Sequence, residues 1–315
     1  MKLQQLRYLV EVADAGLNVS QAAENLFTSQ PGVSKQIRLL EDELGVDIFV
    51  RNGKRVVSIT LAGQEILALA RRVLLEANNL KTAGKEFSRQ KSGQLTIATT
   101  HTQARYVLPP VIARFAERYP DVRLVLHQGN PIHVAQEVVA GRADLAIATE
   151  GLDQFPDLRI LPCYRWNRIL VAPPDHPLLT VPDLTLEELA RYPLITYDHA
   201  FTGRARINQA FEQHGLDPTV VLTALDADVI KTYVGLGMGV GIIASMAFDP
   251  EADRNLRARD VSHLFQPSLT RIGLRAGGYL RQFVYDFITL FAPDLTREKV
   301  DAALVSPGTM HASED

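Results

Sequence analysis

The chain has 315 residues, enough for two or three domains, and its 46% apolar and 22% charged residues are those of an ordinary globular protein. A formal charge of −3 excludes a protein coated in positive charge, and the single cysteine, Cys163, excludes an intramolecular disulfide or a cysteine-rich metal site and reads as a structural thiol. No stretch reaches the roughly 20 apolar residues that span a bilayer, and MKLQQLRYLVEVADAG lacks the apolar core of a leader peptide, so the expectation is a cytoplasmic protein.

Leu6, Leu9, Val10 and Ala13 recur at helical spacing and predict a first amphipathic helix. Asn18 is placed to cap a second helix, with Gln21 in a capping-box-like position and Ala22, Ala23 and Leu26 on its apolar side. Thr28 or Ser29 caps a third, with Pro31 in its first turn and Gly45 as its C-cap. Val33, Ile37, Leu40 and Leu44 form its buried stripe, which leaves Ser29, Gln30, Pro31, Ser34, Lys35 and Arg38 at or near the end that enters a major groove in a helix-turn-helix. Gln reads adenine, Ser reaches a base or a phosphate, and Lys and Arg do either. Ile48–Thr60 reads as a hairpin turning at Asn52-Gly53, with Arg51, Lys54 and Arg55 around the turn as phosphate or minor-groove contacts.

Seven basic residues in the first 60 are matched by seven acidic ones, but five of the basic ones lie between 35 and 55. Without the surrounding motif that cluster would read as a solvated charged face. From Leu61 to about Arg89 no proline interrupts a helix whose stripe Ile66, Leu69, Val73, Ala77 and Leu80 calls for a partner, so it reads as a dimerisation helix.

The segments AAENL, TSQPGVSKQIRLLEDELG, IFVR and IT-x-AG together resemble the winged helix of the LysR-type transcriptional regulators, over residues 1–65.

Beyond Lys91-Ser92-Gly93 the pattern changes to alternating strands and helices. QLTIAT, a helix over Tyr106–Tyr119, VRLVLHQG, IHVAQEVVAG and ADLAIAT make a βαβαβ unit with a parallel sheet. RILVAPP, a helix around Leu186–Arg191, PLITYD, a helix near Arg204–His214, TVVLTAL, a helix at Val229–Leu236 and VGIIAS make a second set, and residues 269–292 return to the first. The fold class expected is an N-terminal winged helix-turn-helix (residues 1–60), a linker helix (61–89) and an α/β domain of two Rossmann-like lobes (90–315), as in periplasmic binding proteins. Lobe I spans about 93–162 plus 268–292 and lobe II about 163–267; no role is read for 293–315.

Ligands of such sheets bind beyond the carboxyl ends of the strands. Three places there carry hydroxyl donors: Thr99-Thr100-His101-Thr102-Gln103, Thr149, and Phe201-Thr202-Gly203-Arg204. One such threonine can equally be a helix cap; three places on two lobes suggest an anion held by helix N-termini and neutral donors.

ATTHTQARY, ADLAIATE, LPCYRWNR, FTGR, DADVIKTYV and GVGIIASMAFDP extend the resemblance to the branch of the LysR family that governs sulfur assimilation and cysteine biosynthesis. It implies sulfate or thiosulfate between the lobes, acetylserine as inducer, and Thr100, Thr102, Gln103, Thr149 and Thr202 as effector ligands. It also implies a homotetramer built as a dimer of dimers, promoter DNA and RNA polymerase as partners, and no cofactor. HAFTGRARIN departs from that branch around its threonine, which leaves contacts such as His199 open.

Other readings fit less well. The run Gly235–Gly241 ends a helix and enters a strand, the reverse of a dinucleotide fingerprint. His101 lacks a nucleophile elbow and a recognisable acid, and the eight histidines show no metal-ligand spacing. Tyr164 and Trp166 read as core or cleft-wall aromatics. A regulator of sulfate-starvation genes sensing adenylyl sulfate is the nearest alternative. A sulfate or amino-acid solute-binding protein, or an enzyme acting on acetylserine, is remote.

Overall fold

The computed structural model describes residues 1–53, 55–87, 92–198 and 203–305, which form two compact units divided near residue 88. In the first, α1 (Leu3–Asp14), α2 (Val19–Asn25) and α3 (Gln30–Leu44) precede an antiparallel hairpin of β1 (Phe49–Asn52) and β2 (Arg55–Ile59), and α4 (Leu61–Phe87) follows. Asn18 accepts from the backbone N–H of Ser20 and Gln21, while the Gln21 side chain lies along its helix towards Glu24 and Asn25. Ser29, not Thr28, caps α3, and Gly45 ends it.

Leu9, Val12, Ala22, Val33, Ile37 and Leu40 close one core with Ile48 and Phe49 of the wing and Leu67 and Ala70 of α4. The long helix therefore has two apolar faces. One is used inside its own unit; Leu69, Val73 and Leu80 on the other are 50%, 41% and 75% exposed. Gly63 permits the close approach of α4 to the wing, since a methyl there would stand 2.2 Å from the Ile48 carbonyl oxygen. No helix among the described residues is long and apolar enough to cross a membrane.

The second unit contains two five-stranded sheets. Lobe I holds β3 (Gly93–Thr99), β4 (Val122–Gln128), β5 (Leu145–Ala148), β6 (Leu158–Trp166) and β12 (Ser268–Arg275), in the order β4-β3-β5-β12-β6. Lobe II holds β7 (Arg168–Ala172), β8 (Leu194–Tyr197), β9 (Val220–Ala224), β10 (Val240–Ala244) and β11 (Arg257–Asp260), in the order β11-β7-β10-β8-β9. β3, β4 and β5 are parallel as the βαβαβ reading requires, but both sheets are mixed, because β12 pairs antiparallel with β5 and β6, and β7 antiparallel with β10 and β11.

Helices α5 (Leu108–Arg118), α6 (Pro131–Val139), α10 (Gln282–Phe291) and α11 (Arg297–Val305) cover lobe I, and α7 (Leu186–Ala190), α8 (Arg204–Gln213) and α9 (Ala227–Gly235) cover lobe II. Val300 and Ala303 of α11 are buried in the lobe I core, which gives part of the unassigned tail a packing role.

Two sequence expectations change. β6 runs in the lobe I sheet through Trp166, so the chain crosses between lobes at Asn167 rather than near residue 162, because the whole strand finds its partner in β12. The helix expected from Tyr106 starts earlier, as a π-helical turn over Gln103–Val107 that runs into α5. Arg168 ties the two crossings together: its guanidinium donates to the Gln266 carbonyl at 3.1 Å and to Ser268 Oγ at 3.0 Å.

Candidate functional site

The exposed end of α3 carries the first site. Ser29, Pro31, Lys35 and Arg38 are exposed, and the half-buried Gln30 donates to Ser34 Oγ at 3.2 Å. Arg55 is exposed on the wing, while Lys54 lies outside the described residues.

Arg51 has another task. It reaches inward to Glu41 with two donors, Nη1 at 3.1 Å to Oε1 and Nη2 at 2.6 Å to Oε2, and its side chain is only 21% exposed. Glu41 is buried in α3 and also accepts from the backbone N–H of Ile48 and Phe49, at 2.8 and 3.1 Å. One carboxylate thus fastens the wing to the recognition helix. In sequence Glu41 is merely the first acid of Glu41-Asp42-Glu43, and nothing local marks it as the buried one.

The second site lies where strand ends of the two lobes meet. Thr100, Thr102 and Gln103 follow β3, Thr149 follows β5, Trp166 ends β6 and Tyr197 ends β8; together they line a small, narrow cavity. Four of the five predicted effector ligands are therefore neighbours. Thr202 and His199 lie outside the described residues.

Thr100 and Thr149 are buried, and Gln103 is 1% exposed. Tyr164 donates to Gln103 Oε1 at 2.5 Å and Gln103 Nε2 donates to Thr270 Oγ1 at 3.3 Å, which fixes the amide and leaves one N–H uncommitted among the described residues. Tyr197 accepts from the Ala244 N–H at 3.3 Å and also bonds Thr102 across the cleft. Burial pushes its phenol up to about 12, so it remains a neutral donor. The indole Nε1 of Trp166 is buried without a hydrogen-bond partner among the described residues.

No lysine, arginine, aspartate or glutamate lines this cavity among the described residues; its polar side-chain groups are hydroxyls, an amide, an imidazole and the Trp166 indole N–H. Such a set suits a small anion by donation rather than by ion pairing.

His101, beside the threonines, meets a residue that sequence reasoning did not single out. Its Nε2 is 3.2 Å from Asp228 Oδ2 in the first turn of α9. His101, Asp226 and Asp228 are close enough together to hold a metal ion. Asp228 already faces Lys231 at 3.5 Å and Arg105 at 3.8 Å, however, and a metal would compete with both cations, so we assign none. No hydroxyl or thiol nucleophile bonds the imidazole among the described residues.

Cys163, in β6, packs on the lobe I core, and burial pushes its thiol up to about 12, which suits a structural role. The glycine run is a tight connection, as its order in the chain suggests: a methyl at Gly239 would stand 2.4 Å from the Pro193 carbonyl oxygen.

A winged helix-turn-helix with a long helix, joined to a two-lobed α/β unit with an anion-suited pocket, defines a ligand-responsive DNA-binding regulator. Residues 3–64 match the bacterial regulatory helix-turn-helix proteins of the lysR family, and residues 88–295 match the LysR substrate binding domain. The chain belongs to the LysR family of transcriptional regulators; it binds DNA and is not an enzyme.

Over 304 residues it is 52% identical to the HTH-type transcriptional regulator SsuR of Burkholderia cenocepacia, covering 96% of this chain and 99% of that one. It is 52% identical over 303 residues to the HTH-type transcriptional regulator CysB of Haemophilus influenzae, covering 96% and 94%. Among solved structures, the cofactor-binding domain of the Cbl transcriptional regulator is 44% identical with a TM-score of 0.67, over 70% of this chain and 97% of that one.

Proposed function

We propose that this regulator controls promoters of sulfur-assimilation and cysteine-biosynthesis genes in the cytoplasm and reads sulfur status through its interlobe pocket. The observation that carries this reading is the assembly of Thr100, Thr102, Gln103 and Thr149, from separate stretches of the chain, around one cavity of neutral donors. Thr202 completes the proposed set. The resemblance of the surrounding motifs to the sulfur-governing branch, and the similarity to relatives named CysB, Cbl and SsuR, support sulfate, thiosulfate or acetylserine as the effector.

On DNA, Gln30, Ser34 and Arg38 are assigned to base edges, and Ser29, Pro31, Lys35, Lys54 and Arg55 to the backbone. Arg51 contributes by holding the wing. The apolar face of α4 supports a dimer, from which a homotetramer able to engage RNA polymerase is built. Effector binding shifts the population of lobe arrangements and so changes how the oligomer sits on DNA; this requires unequal affinity for the two arrangements.

The test is promoter binding by the full chain, measured by fluorescence anisotropy on upstream fragments of sulfur-assimilation genes, with and without sulfate, thiosulfate, acetylserine and adenylyl sulfate. At least one of the first three should change affinity or footprint. A response to adenylyl sulfate alone would overturn the effector assignment, and no binding to any of these fragments would overturn the promoter assignment.

A further inference from the structure

The segment 100–106 faces two ways. Thr100, Thr102 and Gln103 line the pocket, Arg105 and Tyr106 meet Asp228 on the other lobe, and His101 does both. Tyr106 donates to Asp228 Oδ1 at 2.6 Å, and its ring, although it comes from lobe I, packs against the lobe II core that contains Ala227 and Ile230. Lys231 lies over the same ring at 5.2 Å and is itself held by the Ala247 carbonyl and Asp253, at 2.9 and 3.0 Å.

Burial alone would raise the Asp228 carboxyl, but Tyr106, His101, Lys231 and Arg105 outweigh it and hold it below the usual range. The carboxylate is thus charged and engaged from both lobes. A second interlobe pair, Arg206 with Glu150 at 3.3 Å, does not involve segment 100–106.

The π-helical turn explains how one short segment serves both purposes. A widened turn changes the angular spacing of successive side chains relative to an α-helix, and such turns concentrate at functional positions. Here Gln103 is directed to the pocket and Arg105 and Tyr106 to Asp228 within a single turn. Movement of lobe II at Asp228 must therefore be felt at the threonines.

We propose that Asp228 is a positioning residue for the effector pocket: an interlobe clasp on His101, Arg105 and Tyr106 that makes anion capture and closure of the lobes one event. The clasp rests on the reading of the cleft as the effector site, but its mechanical part can be tested without any effector.

The experiment uses the full chain with Cys163→Ser and spin labels at Arg123→Cys and Glu212→Cys, exposed positions on lobes I and II, diluted with unlabelled chains so that only distances within one subunit are read. Asp228→Asn keeps an acceptor for Tyr106 but loses the charge, and Tyr106→Phe removes only the hydroxyl. Without added anion, both should broaden and lengthen the interlobe distance distribution by electron–electron resonance. Isothermal titration with sulfate should show its Kd raised about tenfold in Asp228→Asn, within the usual range of coupling between sites.

Unchanged distances in both variants, each with an unaltered circular dichroism spectrum, would overturn the clasp. Lengthened distances with unchanged sulfate affinity would overturn the coupling. Lengthened distances in a chain that binds no sulfate even when unmutated would support the clasp and overturn sulfate as the effector.

Discussion

Replacing the buried Glu41 by alanine should cost the DNA-binding unit more than any single change of an exposed charge. Four hydrogen bonds disappear: two from the buried backbone N–H of Ile48 and Phe49 and two from the Arg51 guanidinium. An unsatisfied buried donor costs about 1–3 kcal/mol, and stripping one partner from a buried ion pair costs about 3–5 kcal/mol. These figures overlap, since water can enter the gap and Arg51 can swing out, so the net loss is set at about 3–4 kcal/mol. For a unit of this size each kcal/mol moves the midpoint by about 4–8 °C. Calorimetry on the full chain should therefore show the transition of the N-terminal unit fall by roughly 12–32 °C while that of the other unit stays in place. Glu41→Gln keeps an acceptor for the backbone donors and should lose about half as much. The double variant Glu41→Ala, Arg51→Ala should be no worse than Glu41→Ala alone, because the arginine is then no longer left without its carboxylate. A fall of less than about 4 °C for Glu41→Ala would refute the assignment of this carboxylate as the wing's anchor.

Thr100→Val and Thr149→Val preserve shape but delete a donor, and each should weaken sulfate binding about tenfold by calorimetry; unchanged affinity in both would remove these threonines from the effector set. Lys35→Ala and Arg55→Ala should each reduce the slope of log K against log salt by about 1, whereas Arg51→Ala should lower thermal stability and leave the slope alone; a slope lowered by Arg51→Ala instead would place that side chain on phosphate. The Arg142 guanidinium, and His127 at 2.9 Å, hold the Glu137 carboxyl below the usual carboxylate range. Its stabilisation is fully present above the unfolded value of about 4.3 and is lost as pH falls through the lower folded value, so Glu137→Gln should flatten the acid limb of a stability–pH profile; an unchanged limb would refute the linkage. Leu69→Glu with Leu80→Glu should shift the molar mass by light scattering to that of a smaller assembly, and an unchanged mass would move the dimer interface off this face of α4.

The recognition helix was legible because its signals are local. Ser29, Pro31 and Gly45 stand at helix ends, and the buried stripe repeats inside one helix. Asn52-Gly53 likewise announces a hairpin without reference to anything distant. β6 and β11 were missed for opposite reasons. LRILPCYRW carries a proline and two arginines and gains its strand character from a long pairing with β12, whereas Arg-Ala-Arg-Asp is a polar edge strand with no apolar face to betray it. Arg51 reads as a DNA contact, and nothing local marks Glu41, until the wing folds back on α3. His101 and Asp228 stand 127 residues apart, on opposite sides of the crossing at Asn167, and meet only because the two lobes face each other, which no periodicity encodes.

The same contrast separates what the pocket holds from how it is held. The threonines stand at strand ends, so their chemistry can be read from the pattern of strands alone. Their positions relative to the second lobe depend on Tyr106 and Asp228. Neutral donors also set the energetic scale. A hydrogen bond to a charged group contributes about 1.5–3 kcal/mol, so three or four of them hold an anion firmly without the desolvation cost of burying a full counter-charge. Of the arginines near the crossing, Arg168 is committed to the Gln266 carbonyl and Ser268 and Arg206 to Glu150, while the buried Arg204, whose Nε and Nη1 have no hydrogen-bond partner among the described residues, is not among those that line the pocket. Were an anion bound there, parting of the lobes would release it with little penalty, because each donor is at home in water and none is left as a buried unpaired charge.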